Sequence, residues 1–218
     1  MQEKKSTNSK SEPIRVLVCE DHLIARVGLA AIVNAQADMT VVAEAVNGEH
    51  AIKLYREHRP DVALMDIRMP VMNGLDAMAV IQAEFPEPAI VALSTFGGDA
   101  DVRKALQVGA LAFLTKDAPQ DELLLAIRTV HAKLRFVTPL IVAALAAAAP
   151  GSELSPREME VLRLMVHGRS NKQIASELQI AEDTAKNHVK SILKKLGAQD
   201  RTHAATEAIQ RGIIHLPR

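Results

Sequence analysis

Short apolar runs rich in β-branched residues alternate with amphipathic stretches from Ile14 to His131. This alternation is typical of repeated βα units around a parallel sheet. Five strands are predicted, over Ile14–Cys19, Thr40–Glu44, Val62–Asp66, Ala89–Ser94 and Ala112–Thr115. Helices are predicted to begin after them, near His22, Gly48, Gly74, Asp99 and Gln120. We therefore expect an α/β domain over residues 14–131, preceded by a polar, disordered leader over residues 1–13.

The pattern changes after residue 131. Pro139 opens an Ala-rich helical segment and Pro150-Gly151 closes it, so residues 132–151 are predicted to be a linker. The links in the remaining sequence are too short for strands, and four helical stretches are predicted there, over Pro156–His167, Asn171–Leu178, Glu182–Leu196 and Arg201–Gly212. Residues 152–218 are thus expected to form a four-helix, all-α domain.

Composition and charge limit what these domains can do. The 218 residues include no Trp and one Tyr, so the cores must be aliphatic and base stacking on aromatic rings is not expected. No apolar run reaches the roughly 18 residues of a membrane span and the leader is unlike a signal peptide, so we expect a cytoplasmic protein without membrane contact. The single cysteine, Cys19, lies in an apolar run, which favours core packing over a redox role.

The zero net charge hides a difference between the two parts of the chain. Residues 1–151 carry 15 basic and 18 acidic side chains, whereas residues 152–218 carry 11 basic and 8 acidic ones. The first part is therefore net negative and the second net positive. This is the sign expected if the C-terminal part binds a polyanion.

Polar residues stand at the ends of four of the five predicted strands, where parallel strands place them in one crevice. Glu20 and Asp21 follow the first strand, Asp66 ends the third, Ser94 ends the fourth and Lys116 follows the fifth. Three neighbouring carboxylates need a compensating cation, and Mg²⁺ suits an all-oxygen site. Asp66 could then accept a phosphoryl group as a carboxylate nucleophile. Each residue alone is usually a turn, cap or surface residue, and only their combination indicates this chemistry.

The motifs around these residues resemble a receiver domain of response regulators. They are Cys19-Glu20-Asp21-His22, Met65-Asp66-Ile67-Arg68-Met69-Pro70, Leu93-Ser94-Thr95-Phe96 and Leu114-Thr115-Lys116-Asp117. The resemblance covers about Ile14 to His131 and implies a flavodoxin-like (βα)5 fold in which a sensor histidine kinase phosphorylates Asp66. It also implies that Mg²⁺ is bound by Glu20, Asp21, Asp66 and the backbone carbonyl of Arg68, and that Ser94 and Phe113 are the switch residues.

Three positions depart from the usual receiver pattern. Leu23 replaces a frequent proline, Asn73 replaces a common Asp before Gly74, and Arg68 places a cation beside the pocket. None of these changes removes a catalytic group.

The C-terminal part carries the signals of a helix-turn-helix. Ser155, Pro156 and Glu158 form a helix start with a capping box, and Ser170 is predicted to cap the next helix. In Glu182–Leu196 one lysine recurs every four residues opposite an apolar side, which forms a basic stripe of Lys186, Lys190 and Lys194. A solvated lysine face would be the usual explanation for an isolated helix. After two short helices, a recognition helix in the major groove explains it better.

The segment from Leu154 to Ile214 resembles the LuxR-type output domain, in Leu-Ser-Pro-Arg-Glu, Ser-Asn-Lys-Gln-Ile-Ala and Lys-Asn-His-Val-Lys. Together with a receiver, this domain makes the NarL/FixJ-type architecture, which implies double-stranded DNA as a partner and a homodimer when phosphorylated. The implied base-edge readers are Lys186, Asn187 and Lys190. The implied phosphate contacts are Ser170, Asn171, Lys172, Thr184 and Lys194. The helix near Ala204–Arg211 would form the dimer surface.

Two departures affect this second domain. Ala181 replaces a usual capping Ser, and Asp183 adds negative charge close to the expected DNA backbone.

Two other functions remain open from the sequence. A phosphatase of the haloacid-dehalogenase class also phosphorylates an Asp after a strand, but it typically needs an acid two residues later, where this chain has Arg68. A regulator that works without phosphorylation would usually have lost an acid or the lysine, and this chain retains them.

Overall fold

The computed structural model of the protein describes residues 12–95, 97–146 and 154–214. Contacts divide these residues into two compact units. The first contains residues 12–95 and 105–137, and the second contains the described residues of 97–104 and 138–214. Most of the predicted leader and the predicted linker end at Pro150-Gly151 lie outside the described residues.

The first unit is built on a five-stranded parallel sheet of order β2-β1-β3-β4-β5. Its strands are β1 (Ile14–Cys19), β2 (Met39–Ala45), β3 (Val62–Asp66), β4 (Ala89–Ser94) and β5 (Ala112–Thr115). The central strand β3 and its neighbour β4 are buried along their whole length, because helices cover both faces of a parallel sheet. This burial explains why both strands read as continuous apolar runs rather than as alternating patterns.

A helix follows each strand, in the order that the sequence predicts. These helices are α1 (Leu23–Asn34), α2 (Gly48–His58), α3 (Gly74–Glu84), α4 (Asp99–Gln107) and α5 (Gln120–His131). Asn47 and Asn73 cap α2 and α3 by accepting hydrogen bonds from backbone N–H groups of the first turn. The replacement of Asp by Asn73 therefore keeps the cap.

Cys19 is fully buried at the end of β1, as the core interpretation predicts. Burial raises the pKa of its thiol, and the nearby charge of Asp66 adds to that effect. The thiol therefore stays protonated at neutral pH.

The second unit contains the helices of the C-terminal part. They are α6 (Pro139–Ala146), α7 (Pro156–Val166), α8 (Asn171–Glu177), α9 (Glu182–Leu196) and α10 (Arg201–Gln210). The predicted capping box at Ser155 and the predicted cap at Ser170 are both present, and Ser170 also forms a capping box, with Gln173. Aliphatic side chains of α7 to α10 form one core, which includes Leu162, Ile174 and Ile192.

The predicted fold class is confirmed, as α/β with the flavodoxin-like strand order plus an all-α C-terminal part. No helix among the described residues is both long and apolar enough to cross a membrane.

Candidate functional site

Asp66 and Lys116 meet at the carboxyl edge of the sheet. Asp66 ends β3 and is fully buried, while Lys116 directly follows β5. The Nζ of Lys116 donates a hydrogen bond of 2.7 Å to Oδ2 of Asp66, and the backbone N–H of Arg68 donates one of 2.9 Å to Oδ1. Both carboxylate oxygens of Asp66 therefore have a donor.

The same ammonium group also lies against a second buried carboxylate. Nζ of Lys116 is 2.5 Å from Oε2 of Glu20, whose side chain is fully buried. This contact is an ion pair, and Oε2 accepts no hydrogen bond in the described part of the chain. One cation is thus shared by two buried carboxylates, which leaves the pocket with excess negative charge.

The electrostatics of Asp66 reflect this imbalance. Burial raises the pKa of Asp66, whereas hydrogen bonds from Lys116 and from the N–H of Arg68 oppose the rise, and the charge of Glu20 adds to it. The net effect is a raised pKa, so the ionised form of Asp66 is disfavoured in the folded protein. A further cation would relieve this cost.

The acids after β1 supply oxygen atoms that suit such a cation. Within the described residues, one oxygen each of Glu20 and Asp21 and a ring nitrogen of His22 lie within 4.8 Å of one another. The buried Oε2 of Glu20 without a hydrogen-bond donor fits a hard divalent ion, as do the neighbouring carboxylates. Asp66 is not a member of this three-residue group. The sequence interpretation missed His22, although its place directly after two acids was a visible signal.

Backbone hydrogen bonds fix the loops that carry these side chains. The N–H of Lys116 donates to the carbonyl of Ser94 at 2.8 Å, which joins the ends of β4 and β5. A β-carbon at Gly74 would lie 2.0 Å from the carbonyl oxygen of Asp66, so only glycine permits this close approach of the loop.

The two predicted switch residues are interior residues. Ser94 is the last residue of β4 and is fully buried beside the pocket edge. Phe113 is fully buried in β5, where it pairs with Ala92 of β4. A change at Ser94 would therefore alter the packing of interior side chains rather than the surface of the protein.

The second unit presents an exposed polar face on its longest helix, α9. Ala185, Ile192 and Leu196 are the buried residues of α9 and face the core. The opposite face carries exposed polar residues, namely Asp183, Lys186, Asn187, Lys190 and Lys194. The predicted basic stripe is thus on the surface, but with an acid in its first turn.

The two sequence families that match the chain agree with this geometry. The family described as response regulator receiver domain matches residues 16–128, and the family described as bacterial regulatory proteins, luxR family, matches residues 152–208. The chain belongs to the response regulators of the NarL/FixJ type.

Relatives of this response regulator match over nearly their whole length. The transcriptional regulatory protein LiaR of Bacillus subtilis (strain 168) is 38% identical over 210 residues, which cover 93% of this chain and 100% of LiaR. The nitrate/nitrite response regulator protein NarL of Escherichia coli (strain K12) is 36% identical over 215 residues, which cover 94% of this chain and 100% of NarL. Among solved structures, the response regulator ChrA of a heme-sensing two-component system is 35% identical, with a TM-score of 0.57 and coverage of 94% of this chain and 100% of ChrA.

The sequence predicted Glu158 only as part of a capping box, and its further contacts in this response regulator were missed. Glu158 of α7 is almost fully buried and accepts hydrogen bonds from Ser191 Oγ at 2.6 Å and Lys195 Nζ at 2.7 Å, both on α9. It also accepts one from the N–H of Ser155 at 2.7 Å. Glu158 therefore ties the start of α7 to the C-terminal half of α9 and holds the charge of Lys195.

The predicted phosphate contacts divide into two groups. Lys172, Thr184 and Lys194 are exposed. The hydroxyl of Ser170 accepts a hydrogen bond from the N–H of Gln173 as the cap of α8, and Oδ1 of Asn171 accepts one from Arg201 at 3.5 Å. The second group already has hydrogen-bond partners in the protein, although Ser170 is also exposed.

The predicted dimer surface on α10 is wrong for two of its residues. Ala204 and Ala208 are fully buried in the core of their own unit. Their spacing of four residues places them on the inner face of the helix, so they cannot contact a second chain.

Proposed function

We propose that this protein is a transcription factor whose DNA binding is controlled by phosphorylation of Asp66. The observation that carries the proposal is the buried Asp66 with its Lys116 partner, in a receiver domain that shares its chain with a LuxR-type domain. A sensor histidine kinase would supply the phosphoryl group, and chromosomal DNA in the cytoplasm would be the target.

The chemistry of the receiver requires Asp66 as a nucleophile. A carboxylate oxygen of Asp66 attacks the phosphorus of the donor, an O–P bond forms, and the bond from phosphorus to the donor atom breaks with its electron pair left on the donor. The product is an acyl phosphate on Asp66. Lys116 offsets negative charge on the transferring group, because its ammonium already lies 2.7 Å from Oδ2.

A bound Mg²⁺ would neutralise further charge on the phosphoryl oxygens. Glu20, Asp21 and Asp66 would hold it, together with the backbone carbonyl of Arg68. The assignment is supported by the sharing of one ammonium group, that of Lys116, between the buried carboxylates of Glu20 and Asp66, and by the closely spaced oxygen atoms of Glu20 and Asp21.

The new charge on Asp66 is expected to draw Ser94 and Lys116 toward the phosphoryl group and to bias the packing around the buried Phe113. We propose that this change promotes a homodimer or releases the DNA-binding helices. DNA would then be contacted by α9, with Lys186, Asn187 and Lys190 at base edges. Ser170, Asn171, Lys172, Thr184 and Lys194 would contact phosphates.

Labelling with acetyl phosphate tests the central assignment. The wild-type chain should be phosphorylated with Mg²⁺ and much less so after chelation, and Asp66→Asn should not be labelled. Asp117→Asn is the matched control, because Asp117 is exposed and directly follows Lys116. Undiminished labelling of a folded Asp66→Asn protein would contradict the proposal. Rapid release of phosphate over many turnovers without accumulation of labelled protein would instead indicate a phosphatase.

A further inference from the structure

The exposed face of α9 carries an acid, Asp183, in its first turn. An α-helix repeats every 3.6 residues, so Asp183, Asn187, Lys190 and Lys194, spaced by four, three and four residues, lie along one line. The side chain of Asp183 is 89% exposed. If this face enters a DNA groove, Asp183 enters with it.

Asp183 is paired with one of the predicted base readers. Nζ of Lys186 donates a hydrogen bond of 3.1 Å to Oδ1 of Asp183 and lies 3.3 Å from Oε1 of Glu182. Two carboxylates therefore surround one ammonium group in the first turn of α9. Their combined charge is negative, so this turn adds no electrostatic attraction to the phosphate backbone.

A paired acid and lysine have a specific use in the major groove. A G·C pair presents two acceptors on guanine, N7 and O6, and one donor on cytosine, the N4 amino group. Lysine donates to the guanine acceptors, and aspartate accepts from cytosine N4. A donor and an acceptor held 3.1 Å apart on one helix turn match these adjacent groups.

We propose that Asp183 and Lys186 together read one G·C base pair in the major groove. This inference rests on the proposed DNA-binding function and names a specificity determinant for it. The carboxylate also acts against wrong sequences. At a base pair that lacks the N4 amino group of cytosine, the Asp183 carboxylate would lie in the groove near DNA phosphates with only Lys186 as its partner. Such a site is bound more weakly.

Selection of binding sites from a randomised duplex library tests the proposal. The full chain is used, treated with beryllofluoride to mimic the phosphoryl group, as wild type and as three variants: Asp183→Asn, Lys186→Gln and Glu182→Gln. Asparagine pairs with adenine through N6 and N7, so Asp183→Asn should switch one position from C to A. The ratio of affinities for the two bases should change by about tenfold or more. Lys186→Gln should move the preference in the same base pair away from guanine, because glutamine pairs with adenine rather than with guanine.

Glu182→Gln is the matched control. It removes the same charge from the same turn and also faces Lys186, but residue 182 lies about 100° around the helix from Asp183. It should strengthen binding to all duplexes without changing any selected base.

The outcomes separate this inference from the proposed function. A selected site that keeps the same base pair in Asp183→Asn would overturn the inference alone. The same holds if Asp183→Asn and Lys186→Gln affect different base pairs, or if Glu182→Gln reproduces the switch. If no sequence is enriched with the wild-type chain, the proposed function fails and the inference fails with it.

Discussion

Replacement of Glu158 by Gln should destabilise the C-terminal helices by an amount that the structure predicts. Burial alone would raise the pKa of Glu158, but hydrogen bonds from Lys195, Ser191 and Ser155 outweigh burial and lower the pKa from 4.5 to about 2. Each tenfold change in proton affinity corresponds to about 1.4 kcal/mol, so the ionised carboxylate contributes at most about 3 kcal/mol at neutral pH. Because Gln keeps part of the hydrogen bonding, we expect Glu158→Gln to cost roughly 2 kcal/mol.

The effect should depend on pH in a defined direction. A carboxyl group with a lowered pKa stabilises the folded state above its unfolded pKa, and this contribution is lost as the pH falls through the folded pKa. The difference between wild type and Glu158→Gln should therefore be constant above about pH 5 and shrink as the pH approaches about 2.

Amide hydrogen exchange in the full chain can measure this difference, because it reports the opening of α7 and α9 separately from that of the first unit. Glu160→Gln is the matched control on the same helix. Glu160 accepts a hydrogen bond of 2.6 Å from Arg157, but its side chain is 48% exposed, and such surface pairs contribute about 0.5 kcal/mol or less. Equal costs for the two variants, or a cost for Glu158→Gln that persists unchanged to pH 2, would refute the reasoning.

Four further variants test other contacts. Asp66→Asn should raise the melting temperature at neutral pH in the presence of chelator, because the raised pKa of Asp66 means that its ionised form destabilises the fold. This gain should shrink as the pH falls toward 3.8, and a lower melting temperature at neutral pH would contradict it. Ala181→Ser should stabilise α9 against hydrogen exchange by about 1 kcal/mol, since Ala181 is an extended N-cap without a side-chain hydrogen bond; no added protection would argue against a missing cap. Lys194→Ala should weaken cognate and random DNA alike and lower the salt slope by about one, whereas Lys186→Ala should cost roughly 1–3 kcal/mol on the cognate site and less on random DNA. Titrations of both duplexes at several salt concentrations check this pair, and equal losses for Lys186→Ala would make it a phosphate contact.

Much of the fold could be predicted because its signals are local. The buried strands of a parallel sheet leave continuous apolar runs, so the predicted bounds of β1, β3, β4 and β5 agree with the structure. Strand β2 extends one residue further at each end than predicted, to Met39 and Ala45. The caps at Ser155 and Ser170 depend on residues three positions apart and were equally visible.

Contacts between distant residues could not be predicted in the same way. The hydrogen bonds of Glu158 with Ser191 and Lys195 span more than thirty residues, and no local pattern encodes them. In the receiver, the positions of the strand ends predicted that Asp66 lies close to Lys116. They did not predict that Glu20 shares the same lysine. By contrast, the small residues Ala204 and Ala208 repeat with helical spacing, and this local signal of an inward face was overlooked when the dimer surface was predicted on this helix.

The buried thiol of Cys19 has a practical consequence for experiments on the switch. Thiol-reactive dyes attack the thiolate, and Cys19 is both inaccessible and held in its protonated form. A cysteine introduced at an exposed position would therefore be the single site that a maleimide dye modifies in the native protein. Pairs of such cysteines could carry donor and acceptor fluorophores, and the distance between the two parts of the chain could be followed in solution with Cys19 left in place.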